Sequence, residues 1–269
     1  MVSARFGPLV LIVLSSTFAF ATNSAIHTTT QAPASKDTQA VSVLTQALNA
    51  AGGLSAIGAI QDFTATGNIT YYWDQPVQGT VTVRGRGLHE FRLDATLADG
   101  VHSLFVNSSN SFQENPDGST LPLPSQNIVK PANLTFPLPH LVMAIQDAAV
   151  TVSYGGLVTH DGQQVHDILI QRTFPQGSDP LGALGKITKA HIFVDPNALT
   201  IQSILDTAYR RDLGPGEFSH EVQFSNYQTV NGVLAPFSVT EFISNQQTES
   251  IQLTQITFNA GLADSDFEQ

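Results

Sequence analysis

The stretch Phe218-Ser219-His220-Glu221-Val222-Gln223-Phe224-Ser225-Asn226-Tyr227-Gln228-Thr229-Val230-Asn231-Gly232-Val233-Leu234-Ala235-Pro236-Phe237-Ser238-Val239 decides the fold. Its centre is Asn231-Gly232. Asn-Gly between two alternating apolar runs marks a two-residue hairpin, because both residues tolerate the positive φ of a type I′ turn. Phe218, His220, Val222 and Phe224 share one face before the turn, and Phe237, Val239 and Ile243 share one after it. A third run, Ile251 to Phe258, follows the polar turn Ser244-Asn245-Gln246-Gln247, and the chain closes on Asn259-Ala260-Gly261-Leu262 and Asp264-Ser265-Asp266-Phe267. A three-stranded antiparallel meander therefore ends the fold.

Outward from it, the chain repeats the same pattern. Asp37 stands where a helix N-cap belongs, and Val41, Leu44, Leu48 and Ala51 recur at helical spacing until Gly52-Gly53. A shorter helical piece, Ser55 to Ile60, leads into a strand with Phe63, Ala65, Ile69, Tyr71 and Trp73 on one face. After Asp74-Gln75-Pro76, a partner strand turns Val77, Val81 and Val83 inward, with Gly79, Gly85 and Gly87 expected at bulges or bends. Phe91, Leu93 and Ala95 mark a third strand, and Leu104 and Val106 a fourth. A turn at Asn115-Pro116-Asp117-Gly118 completes a meander of about five.

A proline-rich loop, Pro122 to Pro139, then runs into a short apolar helix over Leu138 to Gln146. Strands are expected over Ala149 to His160, Val165 to Arg172, Thr188 to Val194 and Leu199 to Tyr209, with one helical turn in the loop Pro175 to Lys186. About ten or eleven antiparallel strands with a few short helices is an α+β arrangement, the helices covering one face of the sheet.

The strings Phe224-Ser225-Asn226-Tyr227, Val230-Asn231-Gly232-Val233, Pro236-Phe237, Phe258-Asn259 and Asp266-Phe267 resemble the C-terminal half of periplasmic lipoprotein-carrier-like proteins, the LolA/LolB, RseB and LppX-like group. Phe193-Val194-Asp195-Pro196 is similar to the same group, as is the opening of helix, double glycine and Phe63-Thr64-Ala65-Thr66-Gly67. The resemblance spans residues 38 to 267. It implies a strongly curved half-barrel whose concave face is covered by helices, a bacterial exported protein, and a non-enzymatic carrier of lipid or lipoprotein.

Composition narrows the function classes. At 269 residues, 42% hydrophobic and 12% charged, the chain is too apolar to be disordered. A net charge of −11 with scattered Lys and Arg argues against nucleic acid and anionic membrane surfaces. Met1 to Ala21 reads as a cleaved secretory signal, with Arg5, an apolar run from Pro8 to Leu14 and Ala19-Phe20-Ala21 at the cleavage site. A loose leader, residues 22–36, then precedes a single domain over 37–269. The sequence shows no second apolar run long enough for a transmembrane segment, and the absence of cysteine leaves no disulfide, thiolate metal site or lipid-bearing thiol.

Catalytic motifs are missing: no Gly-x-Ser-x-Gly, no His-Glu-x-x-His and no phosphate-binding glycine loop occurs. His89, His102, His160, His166, His191 and His220 fall on separate strands. Of these, His160 and His166 could approach across Asp161-Gly162, which is short of a zinc ligand set. Asp264 and Asp266 read as terminal caps, and Glu90 and Asp94 as solvent-facing. Three glycosylation sequons begin at Asn68, Asn107 and Asn133 and read as chance matches in a Ser/Thr-rich chain. No catalytic residue, metal ligand or cofactor is expected. The candidate ligand site is the inward face formed by Phe63, Ile69, Tyr71, Trp73, Val81, Val83, Phe91 and Leu93. These residues form either the floor of an apolar cavity for an acyl chain, lipid or lipoprotein, or a filled core under the helices. In the second case the chain is an envelope sensor or protein-interaction module of the same fold.

Overall fold

The computed structural model describes residues 34–72, 75–107, 111–123, 135–175, 177–209 and 216–268. Among them thirteen strands form one antiparallel sheet. They are β1 (Asp62–Tyr72), β2 (Pro76–Arg86), β3 (Glu90–Leu97), β4 (Gly100–Val106), β5 (Ser111–Glu114), β6 (Thr120–Pro122), β7 (Val150–His160), β8 (Gln163–Arg172), β9 (Ala190–Val194), β10 (Ile201–Ala208), β11 (Phe218–Val230), β12 (Val233–Ile243) and β13 (Gln246–Phe258). The count exceeds the ten or eleven expected, because four- and three-residue strands such as β5 and β6 are too short for alternation to register.

The spatial order is β6-β5-β4-β3-β2-β1-β13-β12-β11-β10-β9-β8-β7. Two meanders thus grow outward from the middle of the sheet, where β1 pairs with β13, Phe63 opposite Phe258 and Ile69 opposite Ile251. The edges are β6 and β7. The chain passes from one edge to the other through α3 (Leu138–Gln146), so that helix must cross the face of the sheet. Together with α1 (Thr38–Ala50) and α2 (Leu54–Gly58) it packs into one apolar core with residues of β1–β3 and β7–β13, the half-barrel arrangement expected. A five-residue helix, α4 (Ala183–Ile187), occupies the loop after β8.

Local chemistry fixes the helix cover. Asp37 caps α1 by accepting from the Ala40 amide at 2.9 Å, and the helix buries Ala40, Val43, Leu44, Ala47 and Leu48. At its end the chain meets the deciding hairpin. Asn231 and Gly232 have φ of 50° and 82°, and the Leu234 amide donates to Ala51 O at 2.9 Å. A Cβ on Gly52 would stand 2.6 Å from the Gly232 carbonyl oxygen, so a residue without a side chain lets the turn dock there.

Four boundaries and contacts differ from the sequence reading. Strand β13 begins at Gln246 rather than Ile251, because Ser244 and Asn245, at φ of 51° and 63°, make a second two-residue turn. Strand β2 pairs with β1 and β3 without a register shift, so its glycines are not bulges, and Gly85 instead makes room for the Phe63 ring. Ala34 to Lys36, read as the end of a loose leader, pair beside the β7 edge, with Ala34 N donating to Ala148 O and Val152 N to Ser35 O. Glu90 and Asp94 are not simply solvated. Glu90 pairs with Arg86 at 2.6 Å, and Asp94 pairs with Arg84 and Arg92 at 2.6 and 2.9 Å.

Candidate binding site on the concave face

Strand register brings the predicted residues together. Phe63, Gly85 and Phe91 lie side by side across β1, β2 and β3, and Ala65, Val83 and Leu93 form the next inward row. Ile69, Val81, Val83, Phe91 and Leu93 are buried in the core, with Phe63 and Tyr71 packed against it half-buried. Trp73, the eighth predicted residue, lies outside the described residues. The lining continues past the prediction onto Ile251, Leu253, Val239, Phe237, Val222 and Phe224, which β13, β12 and β11 present to the same core.

The cover is α3 and what precedes it. Leu138, Leu141, Val142 and Ala144 are buried, and the Phe136 ring sits 5.8 Å from Phe63 and 4.9 Å from Phe258. Polar ties on this helix are few. His140 Nε2 reaches Leu88 O at 3.2 Å, and Lys36 Nζ donates to the carbonyls of Ala144 and Asp147 at 2.5 and 2.8 Å. Lys36 thus closes the C-terminal turn, where the carbonyls have no intrahelical donors. The His140 residue is half-buried but its ring is enclosed, and that burial lowers its pKa to about 4, leaving the ring neutral. Between α3 and the sheet, bounded by Phe63, Phe91, Phe136, Pro139 and His140, remains a cavity of about 20 Å³, room for a water but not for an acyl chain.

A polar row crosses the same inward face at the Tyr71 end. Asp206, His220, Glu241, Glu249 and Tyr71 come from β10, β11, β12, β13 and β1, set level by the pairs Asp206–His220, Glu241–Glu249 and Tyr71–Glu249. His220 Nδ1 meets Asp206 Oδ1 at 2.7 Å, and its Nε2 meets Glu241 Oε1 at 3.1 Å. Thr248 Oγ1 donates to Glu241 Oε2. Burial opposes charge on His220, but the two carboxylates outweigh it and raise its pKa to about 9. For Glu249, burial first and the facing Glu241 second push the pKa well above the carboxylate range, although its side chain is only part-covered. Burial likewise raises the Tyr71 phenol.

Sequence reasoning missed this row because its members come from five strands, from Tyr71 on β1 to Glu249 on β13, and meet only through register. One signal was available: His220, Glu241 and Glu249 occupy the same alternation parity as Val222, Val239 and Ile251. The approach of His160 to His166 does not occur. His166 Nδ1 pairs with the Tyr154 hydroxyl at 2.8 Å, and Asp167 pairs with His191 at 2.9 Å. His160 turns instead to Glu221, at 2.7 Å. Asp266 caps the terminal turn, accepting from the Ala263 amide at 2.8 Å, whereas Asp264 pairs with Arg86 at 2.6 Å.

No protein-family model matches the chain, and no curated protein sequence matches it. Solved structures do. A domain from Vibrio parahaemolyticus, named provisionally as an outer membrane lipoprotein-sorting protein domain, superposes with a TM-score of 0.52 at 11% identity, over 86% of this chain and 96% of that one. A LolA superfamily protein from Nitrosomonas europaea gives a TM-score of 0.52 at 9% identity, over 86% of this chain and 98% of that one. At such identities the likeness is one of fold, and the chain has the LolA-type fold. The lipoprotein LppX of Mycobacterium tuberculosis and MucB superpose far more loosely, with TM-scores of 0.29 and 0.25.

Proposed function

We propose that the chain is an exported, non-enzymatic carrier that takes an acyl chain or another apolar segment between α3 and the concave face. The observation that carries this reading is the construction of the cover. Short separate helices, held mainly by apolar side chains, lie over a continuous apolar sheet face whose fold is that of a lipoprotein-sorting domain. The floor would be formed by Phe63, Ile69, Tyr71, Val81, Val83, Phe91 and Leu93. Export follows from the signal-like segment at residues 1–21.

With only about 20 Å³ free, a ligand must displace the cover. Uncovering Leu138, Leu141 and Val142 costs about 5–9 kcal/mol at roughly 1.5–3 kcal/mol per side chain. Each methylene buried in their place returns about 0.8 kcal/mol, so break-even falls at about 6–11 carbons. Short fatty acids should therefore fail to bind and long ones should bind increasingly well. From Phe63 to Tyr71 the floor spans about 26 Å, long enough for an extended long-chain acyl group.

Calorimetric titration of delipidated protein with saturated fatty acids of increasing length tests this. Saturable binding that begins near the break-even length and tightens with each added carbon supports it. No heat at any length overturns it in favour of the second reading, a protein-interaction or envelope-sensor module whose interior is simply a core, which the small cavity favours.

A further inference from the structure

We propose that His160, Asp161 and Glu221 hold a divalent transition-metal ion of the zinc class on the outer face of the sheet, apart from the concave site. The ligands come from two places. Pairing of β8 with β9 stops at His166, so the β7–β8 hairpin tip extends past its neighbour and lies over the outer face. There the His160 ring stacks on Phe193, with centroids 4.0 Å apart and planes 17° from parallel, which fixes the imidazole orientation. Glu221 projects from β11 on the side opposite His220 and Val222, and is only 8% exposed.

His160 Nε2 lies 2.7 Å from Glu221 Oε1 and 3.7 Å from Asp161 Oδ2, and the three donor atoms all fall within 4.8 Å of one another. Zinc takes imidazole nitrogen and carboxylate oxygen at about 2.0–2.2 Å, which puts tetrahedral ligands about 3.3–3.6 Å apart. Reaching that geometry means opening the His160–Glu221 contact and drawing the Asp161 carboxylate inward. Charge points the same way. Two carboxylates converge on one imidazole nitrogen, and among the described residues neither pairs with a lysine or arginine. A neutral imidazole leaves two negative charges at the site, which one divalent ion balances. Gln223 donates to Asp161 Oδ2 at 2.7 Å and steadies the exposed ligand, and water completes the coordination. One imidazole beside two carboxylates suits zinc or manganese better than calcium, whose ligands are all oxygen.

The test is calorimetric titration of tag-free, chelator-stripped protein with zinc chloride near neutral pH, beside calcium chloride. One zinc per chain is expected, with calcium weaker. Glu221→Gln and His160→Ala should each weaken zinc about tenfold or more. Because Glu221 is buried, Asp161→Asn at the exposed position serves as the variant that leaves the fold intact, and it should weaken zinc in the same direction. Absence of saturable zinc binding up to about 1 mM overturns the proposal. So does zinc affinity unchanged in Asp161→Asn and His160→Ala, since the ion would then be held by other histidines.

Discussion

His220 sits at an inward position between two carboxylates, and this makes the protein's stability respond to pH in a stated direction. Its folded pKa of about 9 lies above the ordinary 6.5, so the folded state binds the proton more tightly than the unfolded chain does. The resulting stabilisation is complete below pH 6.5 and is lost as pH rises through about 9. Glu249, raised above its ordinary 4.5, works in the same direction, since neutralising it favours the fold and ionising it does not. Melting temperature should fall between about pH 6.5 and 9, and His220→Gln should flatten that fall. A flat profile in the parent, or an equal slope in the variant, would contradict the assignment. At this scale the sequence was legible where one residue carries its own geometry. Asn231 and Gly232 announce a turn because their φ values of 50° and 82° are what Asn and Gly permit. It was not legible where a residue's meaning depends on its neighbours across the sheet: His220 read as one more inward residue until register placed Asp206 and Glu241 beside it.

Helix α3 is the element on which the proposed function turns, and Lys36 is its main polar tie. The ammonium closes the carbonyls of Ala144 and Asp147 at the end where the helix dipole is negative. Lys36→Met should therefore destabilise the helix by about 1–2 kcal/mol, the value of a charged hydrogen bond at a helix end. Hydrogen exchange at residues 141–147 should accelerate while β1 and β13 stay protected. Unchanged exchange there would mean that apolar packing alone holds the cover. The existence of α3 was legible from Leu138, Leu141 and Val142 at helical spacing. Its tether was not, because Lys36 lies 108 residues from Ala144 in a stretch whose composition reads as a loose leader. The short strands β5 and β6 were hidden for a different reason, having too few residues to show a period.

Across the whole molecule, pairing the first strand with the last turns two meanders into one sheet. Sequence alternation cannot announce such a pairing, because Phe63 and Phe258 are 195 residues apart. The inward face itself could be read, since Ile69, Val81, Val83, Phe91 and Leu93 all reach the core. Whether that face is floor or core depends on how the cover moves. In the proposed carrier it is a floor which an acyl chain reaches beneath α3. Photo-crosslinking of delipidated protein with a long-chain fatty acid bearing a diazirine near its methyl end, followed by peptide mapping, locates the bound chain. Adducts are expected on inward residues such as Ile69, Val83, Leu93 and Ile251 and on Leu141 of α3, all suppressed by excess unlabelled fatty acid. Adducts confined to the outer face, around Phe193, or no competable adduct at all, would contradict it.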